Sequence, residues 1–276
     1  EGPPVDFAPT LACLCPCCSP RTRTIISVNP TGTSRNEPYV SSQIERNPVT
    51  ALRTATMFLT RFPVGGNNSH DVIALSATLW VFPVVGVLVG LFGAFAYYLG
   101  DVVGLPRAVS AIVAVAAMYA ATGGLHEDGL ADCADGFGGG SSRERKLTIM
   151  RDSRVGTYGV AAMIFSILAR IAILGSLGDP ATVCSALVAS AALSRGAMGP
   201  VMAMLPIARD DGLSAAAGRP DIGQTLIGGA IGFGFAWFAL GIGMALLAFM
   251  VSVIAMLLVA ALARNQIAGQ TGDVLG

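Results

Sequence analysis

From Ile222 to Ala263 the chain carries no charged residue. As one α-helix this run would be about 63 Å long at 1.5 Å per residue, twice the roughly 30 Å hydrocarbon core of a bilayer. It is too apolar for a helix in water and too long for one span, so it is predicted to fold back near Gly241 and Gly243. Other stretches meet the same length criterion. Val72 to Gly100 is uncharged and gives a first span, with a kink expected at Pro83. Ala108 to Leu125 gives a second, Thr157 to Leu177 a third containing Arg170, and Ala181 to Leu205 a fourth containing Arg195. Charged residues make up 12% of the chain, about half the share in soluble domains, so composition agrees. The fold expected is all-α: a polytopic membrane helix bundle with about six transmembrane helices. Gly86-xxx-Gly90 and Gly228-xxx-Gly232 are spaced for close helix approach.

Basic residues then orient the bundle. The connection from His126 to Gly156 holds Arg143, Arg145, Lys146, Arg151 and Arg154, whereas the turn from Gly178 to Pro180 holds none. By the positive-inside rule the long connection is cytoplasmic. Counting spans from there puts Arg53, Arg61, Arg209, Arg219 and Arg264 on the same side. A bacterial-type inner (plasma) membrane location with the polar face toward the cytoplasm is therefore expected. Pro48 to Phe62 is too short and too charged to span, and reads as an interfacial helix. Residues 1–46 lack helical periodicity and read as a disordered or leader segment, with 47–276 as the membrane domain. Cys13, Cys15, Cys17 and Cys18 lie in that segment without zinc-module spacing. Net charge is zero, so nothing points to nucleic acid.

The densest chemistry runs from His126 to Gly136, at the inner end of the second span. If a helix passes through it, Asp128, Asp132 and Asp135 stand at i, i+4 and i+7 on one face. Clustered carboxylates repel unless a cation offsets them. Oxygen ligands with no second His nearby select a hard divalent ion, Mg²⁺ or Mn²⁺. An acidic solvated loop or a helix cap is the plainer alternative. Shortly after come Arg151, Asp152, Ser153 and Arg154, followed by Gly156 and Gly159, at the mouth of the third span. Arginine forks and a helix N-terminus suit phosphate, although basic residues here also serve to anchor the loop inside. Arg195 and Arg170 lie within apolar spans, where a charge costs at least about 2.5–3.5 kcal/mol and faces a polar cavity; Arg195 is the preferred anion contact.

These stretches resemble one family, the cobalamin synthases or adenosylcobinamide-GDP ribazoletransferases. The resemblance is carried by Thr60-Arg61-Phe62-Pro63-Val64, by Gly123-Gly124-Leu125-His126-Glu127-Asp128-Gly129-Leu130-Ala131-Asp132 running on to Asp135-Gly136-Phe137, and by Asp152-Ser153-Arg154 with Gly156 and Tyr158-Gly159. Ser194-Arg195, Leu205-Pro206 with Ala208-Arg209, and Thr271-Gly272-Asp273-Val274-Leu275-Gly276 complete it, in family order from about residue 48 onward. Residues 1–46 match nothing in that pattern, and a membrane helix expected after Thr271-Gly272-Asp273 is missing.

The resemblance implies an Mg²⁺-dependent transferase in which α-ribazole or its 5′-phosphate attacks the phosphate of adenosylcobinamide-GDP and releases GMP. Mn²⁺ is an alternative ion. On this reading Glu127, Asp128, Asp132 and Asp135 hold the metal, and Asp135 or Asp152 accepts the hydroxyl proton. Arg154 and Arg195 contact phosphate, with Ser153 and Arg209 as further substrate contacts. Partners are the two substrates, the lipid bilayer and, as an option, a second copy of the chain. A CDP-alcohol phosphotransferase is the nearest alternative, but its signature places Ala-Arg after the first Asp-Gly-x-x and spaces later Asp residues by four, whereas here Asp128-Gly129-Leu130-Ala131 is followed directly by Asp132 and then Asp135. A transporter would use Arg170 and Arg195 to line a pathway, yet the carboxylates lie at one face and not at the midplane.

Overall fold

The computed structural model describes residues 47–65 and 75–276. The expectations for residues 1–46, and for the start of the first span, lie outside the described residues. Helix α1 is Pro48–Leu59, and a 3₁₀ stretch, Leu75–Val81, leads into α2, Phe82–Val102. There follow α3 (Arg107–Thr122), α4 (Leu125–Gly139), α5 (Arg143–Ile149) and α6 (Thr157–Ser176). The chain continues with α7 (Pro180–Met204), the short α8 (Leu213–Ala217), α9 (Ile222–Leu240), α10 (Ile242–Ile267) and α11 (Gly272–Leu275).

Five of these segments, the 3₁₀ stretch counted with α2, are long and apolar enough to cross a bilayer alone, and α3 with α4 passes only as a bent pair. The described residues thus bear out an all-α membrane bundle. The long uncharged run does break at Gly241, whose φ of 74° suits glycine. Two details differ from expectation. Pro83 does not kink a continuous helix; it sits in the first turn of α2, where its missing N–H is harmless. The second span ends at Thr122 and not Leu125, because Gly123 and Gly124 both take positive φ (66° and 74°) and turn the chain by 88° into α4.

Helix α7 is the central post. Its residues enter all four apolar clusters, meeting α1 and α2 through Met198 and Met202, α3 and α6 through Val183 and Leu187, α9 and α10 through Ala189 and Leu193, and α5 and α11 through Val201. Small residues permit this density. A Cβ added at Gly86 would stand 2.2 Å from the Ala191 carbonyl oxygen, and one at Gly90 2.7 Å from the Val188 Cα. Gly228 and Gly232 likewise face Leu79 and the Ala192 backbone. Overpacking of a tight core typically costs about 1–3 kcal/mol. Gly86→Val is therefore expected to lower the unfolding midpoint of the detergent-solubilised protein, and an unchanged midpoint would mean that α2 and α7 do not meet there.

Basic side chains tie helix ends together at one end of the bundle. Helix α1 buries Ala51, Ala55 and Leu59 against the bundle beside the start of α2. At that same end, Arg143 of α5 donates to the carbonyls of Ile267 (2.9 Å) and Ala208 (2.5 Å), and Lys146 donates to Gln266. A cation on the last carbonyl of α10 satisfies an orphan acceptor and the helix dipole together. Arg143 and Lys146 are thus framework residues.

Candidate active site

Two short segments fix the acidic end. Backbone bonds from Ala208 to Gln270 (2.9 Å) and from Gln270 to Pro206 (2.8 Å) zip residues 206–208 to 269–270, and the Ser214 hydroxyl donates to the buried Gln270 side chain. This zip delivers α11 onto α4. Only a glycine at 129 allows the approach, since a Cβ there would stand 2.7 Å from the Asp273 carbonyl oxygen.

The result is a carboxylate group drawn from two helices. Asp128 and Asp132 lie one turn apart on α4, and Asp273 of α11 is within their electrostatic reach. Burial pushes the Asp273 carboxyl up and Asp128 adds to this, while Arg209 pulls it down. Arg209 lies 3.6 Å from Asp273 and 4.0 Å from Asp211, with its Nη1 buried and unpartnered among the described residues. Arg151 pairs with Asp211 and so ties the 150–156 loop to this corner. Among the described residues no three His, Cys, Asp or Glu side chains could hold a metal by themselves. Mg²⁺ does not need them: it commonly takes one or two carboxylates and completes its shell with substrate phosphate and water. Hard oxygen donors under mutual repulsion fit that ion.

The other sequence candidates are placed elsewhere. Asp135, though on α4, accepts from the backbone N–H of Gly156 (2.7 Å) and Gly159 (2.9 Å), which engages both its oxygens. It caps α6 from outside, because Gly156 offers no capping side chain. Asp152 accepts from the Arg154 side chain and backbone, and those bonds hold its carboxyl down at about 2. Ser153 and Arg154 are exposed beside a shallow recess of about 410 Å³ that Asp135 and Tyr158 also line. Glu127 is buried and pairs with Arg170 at 2.8 Å. Arg195 is buried on α7 beside a cavity with Glu127 and His126.

Sequence reasoning passed over three residues. Asp273 enters from the sequence only within the resemblance, because nothing local says that α11 packs on α4. Arg61 enters from the sequence through the positive-inside count and the resemblance, with no site role; its backbone N–H donates to the Ala121 carbonyl (2.7 Å), and its side chain lies on Gly123 next to a recess of about 570 Å³ that includes Tyr119 and Asp128. Arg170 had been ranked below Arg195, and its partner sits in a different helix.

Comparison with known proteins follows the same residues. The family model described as cobalamin-5-phosphate synthase matches residues 51–276. A Bradyrhizobium diazoefficiens protein named adenosylcobinamide-GDP ribazoletransferase is 46% identical over 231 residues, covering 84% of this chain and 89% of that one. Proteins of the same name from Mesorhizobium japonicum and Azorhizobium caulinodans are 46% and 43% identical, each covering 80% of this chain and 84% and 88% of their own length. No solved structure matches.

Proposed function

The chain belongs to the cobalamin-5-phosphate synthase family, and on that premise we propose how its residues join adenosylcobinamide-GDP to α-ribazole, or its 5′-phosphate, with release of GMP. The observation that carries the reading is the convergence of Asp128, Asp132 and Asp273 with Arg209 at one end of the bundle. Asp128 and Asp132 would hold Mg²⁺, with Asp273 across from them. When bound, the ion neutralises charge on the diphosphate and on the departing nucleotide.

Arg209, with one Nη unpartnered among the described residues, is the guanidinium we assign to a phosphoryl oxygen. Arg154 and Ser153, exposed at the loop, would meet the substrate's outer phosphate. Both oxygens of Asp135 are taken by the N–H groups of Gly156 and Gly159, and Arg154 holds the Asp152 carboxyl well below the usual carboxylate range. We therefore assign Asp135 and Asp152 positioning roles, the first for the start of α6 and the second for Arg154, and not the proton transfer first expected of them. The basic connections at this end support an active site facing the cytoplasm from the inner membrane.

The test is direct. Purified protein incubated with adenosylcobinamide-GDP, α-ribazole and Mg²⁺ is expected to release GMP in step with formation of the joined product. Absence of GMP in protein shown to be folded would overturn the reading.

A further inference from the structure

A second polar site lies beside the carboxylate group, inside the bundle. A cavity of about 290 Å³ opens between α3, α4, α6 and α7, near the size at which small-molecule pockets begin. Glu127 and Arg195, 5% and 8% exposed, line it with His126, Arg170, Ser190 and Ser194. Helix α6 leans mainly on α3 and α4, and meets α7 through Leu174 beside Val183 and Leu187.

Among the described residues, the hydrogen bonding around this cavity is incomplete in a specific way. Glu127 spends Oε1 on Arg170, and its buried Oε2 has no partner. His126 Nδ1 lies 3.0 Å from the main-chain oxygen of Gly276, which can only accept, so Nδ1 carries the proton and the unpartnered Nε2 is an acceptor. Arg195 donates through Nη1 to Ser194 (2.9 Å), and its buried Nε–H finds nothing. Two acceptors and one donor thus lack partners in one buried place. Unpaired buried polar groups are costly, and proteins rarely keep them without something to satisfy them.

We infer that this cavity binds the ribosyl part of the alcohol substrate, the ribazole of the relatives' name, with its hydroxyls donating to Glu127 and His126 and one sugar oxygen accepting from Arg195. A phosphate could satisfy only Arg195 and would set its oxygens against both acceptors. A vicinal diol satisfies all three atoms. Met118 and Met198, also on the lining, suit the flat face of an attached heterocycle. The choice of ribonucleoside rests on the reaction proposed above; the cavity and its unpaired atoms do not.

The experiment titrates α-ribazole into the full chain in detergent, with a chelator present so that no metal contributes. Wild type and Asp132→Asn are expected to bind alike. Glu127→Gln is expected to weaken binding at least about tenfold, as is Ser190→Phe, which obstructs the cavity from an exposed position without touching the buried charges. A ribazole lacking one ribose hydroxyl should bind wild type more weakly, yet lose little further in Glu127→Gln, as expected when both changes remove one contact. In turnover assays Ser190→Phe should raise KM for ribazole with KM for adenosylcobinamide-GDP unchanged. Wild-type affinity in both cavity variants, or displacement of ribazole by inorganic phosphate, would overturn the inference. A fully active Asp132→Asn would instead sink the metal reading and leave the cavity intact.

Discussion

Asp132→Asn is expected to abolish GMP release while the helices stay in place. The side chain is half-buried on α4, one turn from Asp128 and opposite Asp273 and Arg209, so it sits among like charges that a divalent ion would offset. Asn keeps the shape and removes the charge, which relieves the repulsion and leaves folding unharmed or improved. Metal affinity moves the other way, because a neutral amide oxygen is a poor substitute for carboxylate at Mg²⁺. If the ion carries the phosphoryl charge in the transition state, turnover should fall at least about a thousandfold, or roughly 4 kcal/mol. Chelation should silence wild type to the same extent, and added Mg²⁺ or Mn²⁺ should restore it. GMP release by Asp132→Asn at the wild-type rate in Mg²⁺ would show that Asp132 is not a ligand.

The same residues show what a sequence can and cannot reveal here. Spans were legible because bilayer thickness sets a length that uncharged runs either meet or miss, and Gly241 marked the fold-back. Orientation followed from where arginines gather. Individual pairings did not follow, since they join residues far apart in the chain. Glu127 looks like a fourth carboxylate of its cluster, yet it stands one residue from Asp128, about 100° round the helix, and meets Arg170 on another helix. Periodicity puts Asp128, Asp132 and Asp135 on one stripe, but Gly156 and Gly159 lie close enough to α4 to take the last of them. Asp273 joins the group only through the zip between residues 206–208 and 269–270, which has no local signature.

Asp135 separates the structural account from the sequence reading most sharply, and its substitutions are expected to act on stability before catalysis. Glycines at 156 and 159 leave room that no other residue would: a Cβ at either would stand 2.5 Å or 2.4 Å from an Asp135 oxygen. The carboxylate fills that cradle and is 8% exposed. Asp135→Ala strands two backbone N–H donors at the start of α6, that of Gly156 part-buried and that of Gly159 buried. Hydrogen bonds to charged groups contribute about 1.5–3 kcal/mol each, so a loss of about 3–5 kcal/mol is expected, a large part of an ordinary folding free energy. The variant should accumulate poorly and unfold early in detergent. Asp135→Asn keeps one acceptor and turns an NH₂ toward the other N–H, so an intermediate loss of about 2 kcal/mol is expected, with the surviving folded fraction still turning over. Were Asp135 instead a ligand of the metal, Asp135→Asn would melt like wild type and be as inactive as Asp132→Asn. Melting curves and specific activity measured on the same preparations decide between the two.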